Sequence, residues 1–194
     1  MGDAGRSLAA QAGAGLNVLP NELATRRLLL RAPQPADARK IFDAYTQSAE
    51  AARYMVWRPH AAVAQTEAFI AECIALFGEG ARWPYILALH DAPDAPIGML
   101  EARASGYTVD IGYVLAQAYW GRGLMPEAVD ALAGAALAVP AFFRLQATCD
   151  VNNRNSARVL EKAGFTREGR LERFVVHPNI SPEPGPSYMY ARCR

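Results

Sequence analysis

The feature of this chain that most restricts its fold is a strand running through a two-glycine turn into a helix. Ile111-Gly112-Tyr113-Val114-Leu115 reads as the strand, Gly121-Arg122-Gly123 as the turn, and Leu124-Met125-Pro126-Glu127-Ala128 as the helix start. Proline is tolerated in a first helical turn because the N–H it lacks has no partner there. The free N–H groups of such a turn and the positive end of the helix dipole form an anion site. Gly121 and Gly123 let the backbone approach a diphosphate, and Arg122 adds a charge. A turn of this kind serves structure as readily as ligand binding, so the rest of the chain decides its meaning.

The order of elements around it predicts one mixed α/β domain. Arg27–Arg31 reads as a first strand, and Asp37 as the cap of a helix carrying Ile41, Phe42 and Tyr45. Tyr54–His60 is an aromatic, proline-interrupted loop. Thr66 is read as the cap of a second helix, where Phe69, Ile70, Cys73, Ile74 and Phe77 recur at helical spacing. Strands are expected at Tyr85–Leu89, Ile97–Ala102 and Val109–Leu115, with turn signals at Asp91–Pro96 and Ser105-Gly106. The helix after the glycine turn buries Val129, Leu132, Ala133, Ala136 and Leu137. A strand at Phe143–Asp150 and a helix at Asn155–Ala163 follow, the helix closed by Gly164. Two last strands, Thr166–Val176 and Tyr188–Arg192, flank a loop rich in proline. The fold expected is a mostly antiparallel central sheet of six to seven strands with about four helices. Residues 1–20 read as an Ala/Gly-rich tail and 21–194 as the domain.

Composition narrows the function by exclusion. With 20 Lys+Arg against 19 Asp+Glu there is no basic stripe for nucleic acid. No segment reaches the ~18 apolar residues of a membrane span, and the amino-terminal run is too weak for a signal peptide. Cys73, Cys149 and Cys193 form no CxxC pair and read as reduced thiols of a cytoplasmic protein, mostly in the core. His60, His90 and His177 lack metal-ligand spacing, so no metal is expected. The dinucleotide fingerprint and the P-loop pattern are both missing.

Four ordered blocks resemble the GNAT acetyltransferase superfamily over about 170 residues. They are Thr25-x-Arg27-Leu28-x-Leu30-Arg31; the glycine turn; Val151 to Ser156 followed by Val159-Leu160-Glu161-Lys162-Ala163-Gly164-Phe165; and the closing Tyr188-Met189-Tyr190-Ala191-Arg192. Trp120 and Met125 depart from the general pyrophosphate-loop pattern. The wording Tyr119-Trp120-Gly121-Arg122-Gly123, with Glu127-Ala128 beyond it, is similar to the branch of ribosomal-protein serine/alanine N-acetyltransferases.

The resemblance implies acetyl-CoA as cosubstrate and a primary amine as acceptor, either a protein N-terminus or a small-molecule amine. It places the backbone of Val114 and Leu115 against the pantetheine arm. The turn from Trp120 through Gly121, Arg122, Gly123, Leu124 and Met125 would face the diphosphate, and Asn153 the cofactor arm. Many family members carry an acid Tyr where this chain has Leu160, so Ser156 is the expected proton donor to the departing thiolate. The competing role for Ser156 is to cap its helix. Asp110 is the first candidate base, with Glu127 and Glu172 behind it. Trp57, His60 and His177 lie on loops expected to flank the acceptor. A homodimer fits the tail and the edge strands, and a non-catalytic CoA-binding module is the alternative from another class.

Overall fold

The computed structural model describes residues 19–77 and 81–194. The expected tail lies outside the described residues except for Leu19 and Pro20. Leu19 is fully buried, and the Pro20 carbonyl accepts the Tyr85 hydroxyl at 2.5 Å. The chain is therefore already in the core where the tail was expected to end.

Strands β1 (Glu22–Ala24) and β2 (Leu28–Arg31) form a hairpin closed by Thr25, whose N–H donates to the Leu28 carbonyl at 2.8 Å. Helix α1 (Asp37–Ile41) runs into one π-type turn (Phe42–Thr46), and a short α2 (Ala49–Ala52) follows. Then come α3 (Val63–Leu76), β3 (Arg82–Leu89), β4 (Ala92–Ser105) and β5 (Thr108–Leu115). After the glycine turn lie α4 (Leu124–Ala138), β6 (Arg144–Asp150), α5 (Arg154–Lys162), β7 (Thr166–Val175) and β8 (Gly185–Cys193). Eight strands stand among the described residues rather than six to seven, the added one being β1, too short to show as a pattern. Five α-helices stand among the described residues rather than four, because α2 is a single turn capped by the Ser48 side chain.

The strands lie in the order β1-β2-β3-β4-β5-β6-β8-β7. Among these eight strands only β5 and β6 are parallel neighbours; the other neighbours are antiparallel. A parallel pair needs a crossover, and α4 supplies it. One sheet face packs on α4 and α5 through Trp83, Tyr85, Leu100, Val129, Leu132 and Leu160. The other packs on α1, the π-type turn and α3 through Ile41, Tyr45, Ile70, Ile86 and Met99. Each large apolar side chain buried in these layers contributes roughly 1.5–3 kcal/mol.

Several local expectations shift for identifiable reasons. Asp37 is not a cap but the first residue of α1. It is buried, and its carboxylate takes both Arg31 guanidinium nitrogens, at 2.8 and 2.7 Å. Thr66 does not open α3 but lies one turn inside it. Its hydroxyl faces inward to Thr46 at 3.1 Å and His60 Nδ1 at 2.7 Å. The start of α3 is satisfied from within, since Gln65 Oε1 accepts the Ala61 and Ala62 N–H groups. The turn at Asp91–Pro96 is tighter than expected, because β3 and β4 already pair at Leu89↔Ala92 and then bulge before Ala88↔Pro96.

The site is positioned by a split in this sheet. Pairing between β5 and β6 stops at Asp110↔Gln146. Beyond it β5 stays with β4 up to Leu115↔Gly98, while β6 stays with β8 up to Asp150↔Ser187. The two halves diverge, and the gap opens beside the start of α5.

Candidate active site

A cleft of about 330 Å³ occupies that gap, walled by Tyr113 and Leu115 of β5, Gly121 and Gly123 of the turn, and Asn153 and Ser156. Tyr54 and Met55 close it from the aromatic loop. Alternation along β5 decides what faces in. The Ala116 N–H donates to the Ile97 carbonyl at 2.8 Å, so Ala116 and Val114 direct their backbone toward β4. Tyr113 and Leu115 direct theirs toward the gap. Val114 still lines the cleft, but of the expected pair it is Leu115 whose peptide groups face it.

The turn joins two left-handed glycines to a helix start. Gly121 and Gly123 take φ of 76° and 72°, a left-handed backbone that other residues adopt only with strain. Leu124 and Met125 are buried as the first residues of α4. The Trp120 indole N–H donates to the Leu115 carbonyl at 2.7 Å, tying turn to strand. The Arg122 guanidinium stacks on the Tyr119 ring, 5.1 Å from its centroid. Behind the turn, Arg27 donates to the carbonyls of Arg122 and Gly123 at 2.9 and 3.0 Å.

At the other end of the cleft, Ser156 is freed from capping. Asn153 is the cap of α5, its Oδ1 accepting the Ser156 N–H at 3.1 Å. The Ser156 hydroxyl instead lies 2.8 Å from the Tyr113 hydroxyl, close to the buried Cys149. Tyr113 additionally donates toward the Ser156 carbonyl at 3.2 Å. Burial drives the Tyr113 pKa far above its ordinary value, and the Ser156 hydrogen bond offsets only part of that. Burial likewise pushes the Cys149 thiol up to about 11. Both groups hold their protons at neutral pH, so this corner is a set of hydrogen-bond donors without fixed charge.

The expected bases lie elsewhere. Asp110 is on the opposite face of β5 from Tyr113, held by Arg103 at 3.0 Å and Gln146 at 3.1 Å. Glu127 accepts Thr25 Oγ1 at 2.6 Å and the Arg27 N–H at 2.8 Å, and pairs with Arg27 Nε at 2.7 Å. Glu172 pairs with Arg170 at 2.7 Å on the exposed β7. The carboxylate that does line the cleft is Glu50 of α2.

The two loops expected beside the acceptor are joined to each other. The Asn179 amide donates to the Ala52 and Trp57 carbonyls at 2.6 and 2.8 Å. Trp57 meets His60 with the rings tilted at 53° and centroids 5.6 Å apart, and His60 bonds Thr66 rather than facing the cleft. His177 is buried 3.4 Å from Asp150, with its ring edge-on to Tyr54. From sequence, Tyr113 and Glu50 have no role in the site, Cys149 is placed only in the core, Arg27 only in the opening strand motif, and Tyr54 only at the start of the aromatic loop. For Tyr113 the signal existed, since period-two alternation with Ile111 puts it on the face that α5 covers.

A family model described as an acetyltransferase (GNAT) domain matches residues 27–166. An uncharacterized N-acetyltransferase of Bacillus licheniformis is 27% identical over 154 residues, covering 78% of this chain and 86% of that one. Among solved structures, a microcin self-immunity acetyltransferase, MccE, in complex with acetyl-CoA and AMP superposes with a TM-score of 0.77 at 18% identity, covering 87% of this chain and 93% of that one. An acetyl transferase from Salmonella typhimurium that modifies the N-terminal serine of a 50S ribosomal subunit protein superposes with a TM-score of 0.76 at 20% identity, covering 88% and 96%. At those identities the superpositions speak for the fold, which is the one built here from split sheet, glycine turn and capped α5. With the family match spanning most of its length, the chain belongs to the GNAT acetyltransferase family and is an N-acetyltransferase.

Proposed function

We propose that this enzyme transfers the acetyl group of acetyl-CoA to a primary amine by direct attack, with a protein N-terminal α-amine as the preferred acceptor. The observation that carries the reading is one continuous cleft. It runs from the anion cradle at Gly121–Met125, past the free edge of β5, to the hydroxyl pair of Tyr113 and Ser156. A diphosphate at the cradle, an extended arm along β5 and a thioester near Ser156 follow that path in order.

The amine nitrogen attacks the thioester carbonyl carbon, the C–S bond breaks, and the nitrogen loses a proton to water. Ser156, relayed by Tyr113, gives a proton to the departing sulfur and regains one from solvent. Positioning the two reactants supplies much of the rate. Asp110 as base would have to work across the sheet, whereas Glu50 on the cleft wall can order the water that takes the proton. An α-amine, with pKa ~8, is partly neutral at pH 7, while a lysine at ~10.4 is almost wholly charged. That favours an N-terminus for an enzyme without a buried carboxylate at its cleft. The Salmonella relative's acceptor, the N-terminal serine of a ribosomal protein, points the same way.

The test is thiol release from acetyl-CoA by wild type and Ser156→Ala, against short peptides beginning with Ser or Ala and a panel of small amines. Turnover on the peptides, cut roughly a hundredfold in the variant, is the expected result for a positioned acid. Turnover on small amines alone would move the acceptor class. Tight CoA binding with no turnover on any amine would sink the reading.

A further inference from the structure

The opening motif Thr25-x-Arg27 and the Glu127 of α4 stand 100 residues apart in sequence, yet they meet behind the glycine turn. Neither touches the cleft, and neither has a role in the chemistry above. Their contacts are unusually complete. The Arg27 guanidinium places Nε on Glu127 Oε2, Nη1 on the Arg122 carbonyl and Nη2 on the Gly123 carbonyl, at 2.7, 2.9 and 3.0 Å. Glu127 Oε1 is filled by the Thr25 hydroxyl and the Arg27 N–H. Each of the three guanidinium nitrogens has a partner.

The consequence follows from peptide geometry. In a trans peptide the C=O of one residue and the N–H of the next point in opposite directions. The carbonyls of Arg122 and Gly123 are drawn back onto Arg27, so the N–H groups of Gly123 and Leu124 are turned away from it. Away from Arg27 is toward the cleft that Gly123 and Leu124 line. The geometry assigns Arg27, locked by Glu127, as a positioning residue that aims the Gly123 and Leu124 N–H groups at the donor's diphosphate. This rests on acetyl-CoA being the donor. Arg27 acts through orientation more than charge, because Glu127 neutralises its guanidinium at 2.7 Å. An ammonium has no planar fork and cannot hold two carbonyls and a carboxylate in that arrangement.

The experiment compares Arg27→Met, Arg27→Lys and Glu127→Gln with wild type by titration calorimetry with CoA. It also follows turnover of acetyl-CoA and of S-acetylpantetheine, a donor that lacks the diphosphate. Two misaimed N–H groups should raise the CoA Kd roughly tenfold to a hundredfold in both Arg27 variants, with a smaller rise in Glu127→Gln. With S-acetylpantetheine the penalty should shrink below about threefold, a split that general loosening of the fold would not produce. Unchanged CoA affinity, equal penalties on both donors, or full rescue by lysine would each overturn the assignment. Should the Arg27 variants not fold, the same split read in Glu127→Gln decides. Wild-type protein that binds no CoA would instead remove the donor reading itself, before any variant is compared.

Discussion

Ser156 shows how one residue's freedom depends on its neighbour. A serine near a helix start normally spends its hydroxyl on a backbone N–H. Here Asn153 does that work, and the Ser156 hydroxyl turns to Tyr113. The three thiols follow from the same attention to surroundings. Burial raises Cys73 to about 12 and Cys149 to about 11, whereas Cys193 is exposed. At pH ~8 only about one in a thousand of a thiol with pKa near 11 is thiolate. Iodoacetamide should therefore modify Cys193 in the folded protein, while Cys73 and Cys149 react only in denaturant, as read by mass spectrometry. Rapid native labelling of Cys149 would mean its corner of the cleft is open to solvent. Sequence located Ser156 and Asn153 but not their division of labour. Whether a hydroxyl caps or projects depends on which neighbouring side chain reaches the N–H first, and spacing alone does not say.

At the scale of elements, the edge of the cleft depends on how closely β4 approaches β5. A Cβ on Gly98 would sit 2.5 Å from the Val114 carbonyl oxygen and 3.2 Å from Leu115 Cα. Both are backbone atoms and cannot step aside cheaply. Gly98→Ala should force the strands apart beside Leu115, costing about 1–3 kcal/mol and weakening CoA binding with it. Gly134 offers the contrast: it is exposed in mid-α4, and a Cβ there meets nothing within 4 Å. Gly134→Ala should stabilise by about 0.4–1 kcal/mol and leave CoA affinity alone. Denaturant melts of both variants, beside CoA titrations, separate a steric glycine from an incidental one. Most elements were legible because their apolar periods run long, as in α3, α4 and β3. The ones missed are short: β1 has three residues and α2 has four. Thr66 misled because the start of α3 is capped from inside by Gln65, leaving Thr66 free to turn into the core.

For the whole molecule, strand content was readable but strand order was not. Nothing local tells β8 to insert between β6 and β7, or β5 to leave β6 after three paired residues. Those choices are made by contacts between distant segments, and the split sheet that opens the cleft is one of them. The Arg27–Glu127 pair is another, joining the start of the chain to α4. Its carboxylate feels burial, which raises its pKa, but the hydrogen bonds from Thr25 and Arg27 together outweigh that and hold it below the ordinary 4.5. A carboxylate easier to ionise in the folded chain than in the unfolded one adds stability above the unfolded pKa, and that share fades as pH falls through the lower folded value. Glu127→Gln should therefore lower the melting temperature most near neutral pH, where the lost charge-assisted bonds are worth about 1–3 kcal/mol, or roughly 2–4 °C for each kcal/mol. The gap from wild type should narrow as pH falls below the ordinary carboxylate value and close once it has passed the lower folded value. Thermal melts across that range decide it: a gap that stays constant with pH would mean the carboxylate contributes by packing, and that its ionised form does not tie the first hairpin to α4.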